Sequence, residues 1–257
     1  MELSISNIAW TAKNDHIVHE LMIKLGFRGL EIAPTRLFPE APYTQLKQAA
    51  RWAGECPFTI SSMQSIWYGQ SGNIFNDADR ADLLDYTRKA INFASVIKCR
   101  NLVFGCPRNR QIPNETYRPI AICFFKEIAQ YAQEKGCVIG LEANPPIYNT
   151  NFINTTQEAL NLVKEVSHPA FLLNLDIGTM IHNNEPPSIL RENMRYISHV
   201  HISEPFLKMI EQRNLHKQLA SILKQEHYSG FVSIEMGKQE DTQKIHQAML
   251  YTKGLFK

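Results

Sequence analysis

The chain of 257 residues has no Cys-x-x-Cys pair: its five cysteines, Cys56, Cys99, Cys106, Cys123 and Cys137, are odd in number and widely spaced. That spacing excludes a zinc ribbon and a dithiol redox motif. No apolar run approaches the roughly 20 residues that cross a bilayer, so no membrane partner is expected. The opening MELSISNIAW has neither the basic segment nor the apolar run of a secretory leader. A cytoplasmic location with reduced thiols is the expectation. Basic clusters are missing too. Lys and Arg total 27 against 25 acidic residues, and the tightest group is Arg108–Arg110. Such a surface lacks the stripe that a nucleic-acid backbone needs, so no nucleic-acid partner is expected. No linker, low-complexity stretch or charge block marks a second domain. A hydrophobic content of 44% argues against disorder.

What is present is alternation. Eight short apolar runs, ELSISNIAW, GLEIAP, TISSMQSIW, NLVFGCP, VIGLEANP, FLLNLDIG, ISHVHISEP and FVSIEMG, read as strands. Between them apolar residues recur at helical spacing. HIVHELMIKLG follows the cap residues Asn14 and Asp15 and stops at Gly26; TTQEALNLVKEV offers Thr155 and Glu158 as a capping box; DADRADLLDYTRKAINFASVIK is long and two-faced. Eight strand–helix repeats in this length predict one α/β domain over residues 1–257, a (β/α)8 TIM barrel. The alternative, an open doubly wound sheet, often carries a Gly-rich phosphate turn after its first strand, and SNIAW has no Gly-x-Gly. The longest irregular segments, APTRLFPEAPY and YGQSGNIFND, follow strands two and three, which puts them on the catalytic face of a barrel.

Four consecutive strands end in side chains that can bind a metal. Strand five ends in Glu142, strand six in Asp176, strand seven in His201 and strand eight in Glu235. Any one of these carboxylates could pair with Lys or Arg, and a lone His on an apolar strand is more often a hydrogen-bonded core residue. Four in succession on one rim are a different matter. Like charges that close drive one another's pKa upward unless a cation neutralises them. Mixed oxygen and nitrogen donors suit one divalent ion, Mn, Mg, Co or Zn. His199 points the same way on the pleat but lies deeper, and is the rival ligand.

The motifs ISNIAW, LEIAPT, GLEANPP, HVHISEP and VSIEM resemble those of the xylose isomerase-like TIM-barrel superfamily, in particular its branch of sugar isomerases and epimerases typified by D-tagatose 3-epimerase. The resemblance covers the whole chain. It implies that Glu142, Asp176, His201 and Glu235 bind one divalent metal, and that Glu142 and Glu235 are the catalytic acid and base. A cation would polarise the carbonyl of a sugar or sugar phosphate. One Glu would remove the neighbouring proton, and the other would return a proton to the enediolate. The chain departs from the ketose 3-epimerases at three positions that handle sugar hydroxyls there. Tyr148 stands for a Glu, Thr179 for a His and Leu207 for an Arg. A dehydratase or lyase would begin with the same proton removal.

Asn7, Gln64, Asn144, Arg108 and His216 are the expected substrate contacts. Trp10 and Trp67 are a candidate apolar wall, against the simpler reading of core packing. Glu31 tops strand two. Arg108 and Arg110 follow strand four, where guanidinium groups could hold a phosphate or carboxylate. Two other functions share the barrel: a phosphodiester hydrolase of the AP-endonuclease kind and a non-catalytic carbohydrate-binding protein. The first uses a three-metal cluster with histidines from strands three and four, where this chain offers Ser62, Gln64, Ser65 and Cys106. Barrels of this kind often pair, so a homodimer is compatible with the sequence, which carries no interface signal.

Overall fold

The computed structural model describes residues 1–257. Eight parallel strands close on themselves in chain order. They are β1 (Glu2–Ser6), β2 (Gly29–Ile32), β3 (Thr59–Met63), β4 (Asn101–Phe104), β5 (Val138–Glu142), β6 (Phe171–Asp176), β7 (Ile197–Ile202) and β8 (Phe231–Ile234). The helices between and after them are α1 (Asp15–Leu25), α2 (Pro34–Leu37), α3 (Leu46–Glu55), α4 (Asp77–Val96), α5 (Arg118–Glu134), α6 (Thr156–Val166), α7 (Ile177–Asn183), α8 (Asn214–Gln225) and α9 (Thr242–Phe256). The barrel is closed by β1 against β8, with Leu3 opposite Val232 and Ile5 opposite Ile234. The eight-strand barrel read from the sequence is therefore the fold, and no helix is long and apolar enough to cross a membrane.

Local chemistry sets the helix ends. Asn76 caps α4 by accepting from the amides of Ala78 and Asp79. Gly26 ends α1 in the left-handed region, φ 76°, where a Cβ would be strained. The capping box of α6 is half made. Thr155 accepts from Glu158 N–H, but the Glu158 carboxylate reaches past it to the amide of Asn154, 2.6 Å away.

Strand alternation separates two environments. Ile139 and Leu141, Leu173 and Leu175, Val200 and Ile202, and Val232 and Ile234 are buried in the apolar core with the helices. The alternate positions hold Gly140 and Glu142, Asn174 and Asp176, His199 and His201, and Ser233 and Glu235. These residues face the barrel axis, whose upper part is polar, unlike the branched aliphatic layers that usually fill such barrels. Gly140 belongs to this interior by necessity: a Cβ there would lie 3.0 Å from Ser198 Oγ and 3.2 Å from Asn174 Cβ.

Candidate active site

Two groups of metal-type side chains stack along the barrel axis and share His201. The upper group is Glu142, Asp176, His201 and Glu235; the lower is Glu31, His199 and His201. In each group one donor atom per residue lies within 4.8 Å of all the others. The three carboxylates of the upper group line a cavity of about 210 Å³ together with Gln64, Asn144, Tyr148, Ser203 and Leu207 among others, while His201 is fully buried.

His201 links the levels through its two nitrogens. Nε2 lies 2.9 Å from Glu31 Oε2, while Nδ1 lies 3.2 Å from Glu142 Oε2 and 3.2 Å from Glu235 Oε2. His199 Nε2 meets the same Glu31 oxygen at 2.9 Å. His199, the rival ligand, thus belongs to the lower group.

Two of the three carboxylates are held by further donors, and Glu235 by His201 alone. Asn144 Nδ2 donates to Glu142 Oε1 and Asn174 Nδ2 to Glu142 Oε2. Asp176 caps α7 by accepting from Thr179 N–H at 2.6 Å, and Ser203 Oγ donates to its other oxygen. Gly105 passes so close that a Cβ would sit 3.0 Å from Glu142 Oε1.

The electrostatics are severe. At an effective dielectric near 20, two charges within 4.8 Å repel by at least about 3.5 kcal/mol. Three carboxylate pairs together repel by about 10 kcal/mol, and in the metal-free protein a charged His201 at the same distances offsets most of it. Burial and the neighbouring carboxylates push Asp176 up to about 6 and Glu235 up to about 7. Burial alone would strip His201 of its proton, but Glu235 and Glu31 hold its pKa well above the ordinary histidine range. Burial likewise works against the Glu31 charge, and His201 and His199 overcome it, holding its pKa well below the carboxylate range. Burial lowers His199, with Glu31 opposing.

The expected substrate contacts divide. Gln64 and Asn144 line the cavity. Gln64 Nε2 donates to Ser6 Oγ and Glu31 Oε1, so it ties three strands together as well. Asn7 is buried just past β1, its Oδ1 accepting from Ala33 N–H; it is outside the cavity lining. Arg108 lines a separate cavity of about 720 Å³ beside the first. His216 is not brought to the site. It is buried on α8 beside Leu219, Ala220 and Leu223, meets Tyr251 Oη at 3.1 Å, and burial lowers its pKa to about 4. The correction has a plain reason: residue 216 continues the apolar stripe of its helix. Trp67 is core, edge-on to Phe104 and Phe124. Trp10 is buried too, its Nε1 donating to Asp15.

Arg110 is the residue whose role the sequence hid. It is 0% exposed, and its Nη2 donates to Glu142 O and to Asn144 Oδ1. It does not present a guanidinium to solvent; it braces the end of β5. Burial lowers its pKa to about 10. At the ends of β3 and β4 the structure presents Gln64, Ser65 and Cys106, and burial raises the Cys106 thiol to about 12. No histidine stands there, so the phosphodiesterase alternative finds no third group of ligands.

A family profile described as xylose isomerase-like TIM barrel matches residues 20–253. A search of curated protein sequences finds no match. Among solved structures, D-psicose 3-epimerase from Clostridium cellulolyticum H10, crystallised with D-tagatose, superposes with a TM-score of 0.80 at 18% identity, covering 100% of both chains. A 3-keto-D-glucoside 4-epimerase from E. coli gives 0.79 at 17% identity over 99% of each chain. A family 2 AP endonuclease from Brucella melitensis gives 0.73 at 20%, covering 95% of this chain and 96% of that one. At these identities the likeness is one of fold.

Proposed function

The chain belongs to the xylose isomerase-like TIM-barrel family, and from that premise we propose that it is a divalent-metal-dependent enzyme that epimerises or isomerises a sugar or sugar derivative by proton transfer. The observation that carries the reading is the convergence of Glu142, Asp176, His201 and Glu235 within 4.8 Å of one another, the three carboxylates lining one cavity. The epimerase identity of several structural neighbours supports it.

The donor set fits a dication. Three carboxylates and one imidazole match Mn, Mg, Co or Zn. Their repulsion is the energy that a bound cation would recover, and the Glu31–His201 hydrogen bond is the outer support that metal-binding histidines usually have. When bound, the ion would polarise a substrate carbonyl and acidify the neighbouring C–H.

The chain's own groups do the rest. Glu142 ends β5 and Glu235 follows β8 directly, and His201 Nδ1 lies 3.2 Å from an oxygen of each. A substrate carbon lying above His201 would have one carboxylate on each face. One removes the proton and the other returns it, which inverts the centre or moves the carbonyl by one carbon. Asn144 and Asn174 fix Glu142 through both oxygens, so its attack direction is set before substrate arrives. In the metal-free protein burial raises Glu235 to about 7, so binding a cation there would displace its proton.

The test is solvent deuterium incorporation into a panel of sugars, with Mn, Mg or Co supplied. Wild-type protein should label at least one sugar beside its carbonyl, and Glu142→Gln should abolish labelling. Absence of exchange on every sugar would leave a carbohydrate-binding barrel without catalysis.

A further inference from the structure

The cavity over the four ligands offers little to hold the rest of a sugar. Tyr148 Oη is engaged by Phe206 N–H, Thr179 Oγ1 donates to Ala143 O, and Leu207 is apolar. Beyond the carboxylates, the polar lining residues Gln64, Asn144 and Ser203 already spend hydrogen bonds on Ser6 and Glu31, on Glu142, and on Asp176, and the rest includes Val103, Gly105, Pro107 and Leu207. At about 210 Å³ it lies below the roughly 300–1,000 Å³ of ordinary small-molecule sites.

It does not stand alone. A cavity of about 950 Å³ lies on the β1–β3 side of the same face, and the cavity of about 720 Å³ on the β3–β4 side. Ser65 lines all three, and Tyr68, Gly69 and Gln70 line both large ones. The three spaces therefore meet at the loop that follows β3. That loop is well tied: Tyr68 N–H donates to Ser65 O, Gln70 N–H to Trp67 O, and Asn109 Nδ2 to the carbonyls of Gln70 and Gly72. Ser65 turns through the left-handed region at φ 54°, a strained conformation that clusters at functional sites. On this rigid turn Tyr68 is 70% exposed, more than any other large apolar side chain in the protein. A fixed aromatic face that lines both wide cavities, three residues from the Ser65 they share with the smaller one, is a stacking platform.

We propose, resting on the epimerase reading, that the substrate is a glycoside. The reacting ring is the reducing-end ketose, whose open form carries the carbonyl; it sits over Glu142 and Glu235, and the glycosyl ring attached through one of its other hydroxyls lies against Tyr68 in the wider cleft. A neutral second group is preferred to a phosphate because Arg36 is committed to Asp15, while Lys89 and Lys238 in one wide cavity and Arg108 in the other are exposed side chains borne on three different elements.

The experiment measures Kd by ligand-observed NMR on Mn-loaded protein. D-fructose is compared with its glycosyl derivatives lactulose and maltulose. At least one glycoside should bind about tenfold tighter than its monosaccharide, Tyr68→Ala should remove that gain, and Tyr68→Trp should keep it. Equal affinity for monosaccharides, no glycoside binding, a gain that survives Tyr68→Ala, or tighter binding of D-fructose 6-phosphate would each overturn the proposal. Deuterium exchange on the same samples separates the two readings. Glycoside binding without exchange removes the epimerase and leaves the cleft; exchange on free ketoses without a glycoside gain does the opposite.

Discussion

Glu31 on β2 and His201 on β7 meet across the barrel axis at 2.9 Å, and the contact decides which nitrogen of His201 faces the cavity. With Nε2 held on Glu31, Nδ1 is the nitrogen that faces the space between Glu142 and Glu235, and once its proton is displaced it would offer its lone pair to a bound cation. Glu31→Gln keeps the shape but weakens the acceptor. It should lower Mn affinity by about 10- to 100-fold, measured by isothermal titration, with wild-type affinity for sugar in metal-saturated protein.

The raised carboxylates give a pH signature. Asp176 and Glu235, raised by burial to about 6 and about 7, hold protons in the native state that the unfolded chain has already released. Their contribution to stability is full below about pH 4 and is lost as pH rises through 6 to 7. Metal-free Glu235→Gln should therefore gain in Tm relative to metal-free wild type between pH 5 and pH 8. The Mn-induced rise in wild-type Tm should be larger at pH 8 than at pH 6, because fewer protons must be displaced.

Gly105→Ala should separate geometry from stability. The added methyl lies 3.0 Å from Glu142 Oε1 and 3.4 Å from Asn144 Oδ1, so the carboxylate must shift by a few tenths of an ångström. Exchange activity should fall by about tenfold or more, while Tm changes by no more than about 3 °C.

Arg110→Ala should do the reverse of a surface change. It removes the donor to Glu142 O and Asn144 Oδ1 and leaves a cavity beneath the site. A loss of about 2–4 kcal/mol in urea unfolding is expected, with weakened Mn binding.

The four rim residues were legible because strand alternation is a local signal. In IGLE, LD, VH and IE, a period of two sends the aliphatic side chain to the helices and the next residue to the axis. Closure of eight repeats does the rest. The work of Glu31 was not legible, since its imidazole partner lies 170 residues away and only the closed barrel brings them together. Arg110 sits in a loop rich in polar residues, which reads as solvated, yet the loop folds inward and buries it. His216 went the other way: a ligand-type residue near a helix start read as a substrate group. Its spacing to Leu219, Ala220 and Leu223, a helical face, already carried the signal for burial.

The most direct measurement is anomalous diffraction from crystals grown with Mn. A single peak within bonding distance of Glu142, Asp176, Glu235 and His201 Nδ1 is the predicted result. No peak at those four side chains, or density only between Glu31 and His199, would contradict it.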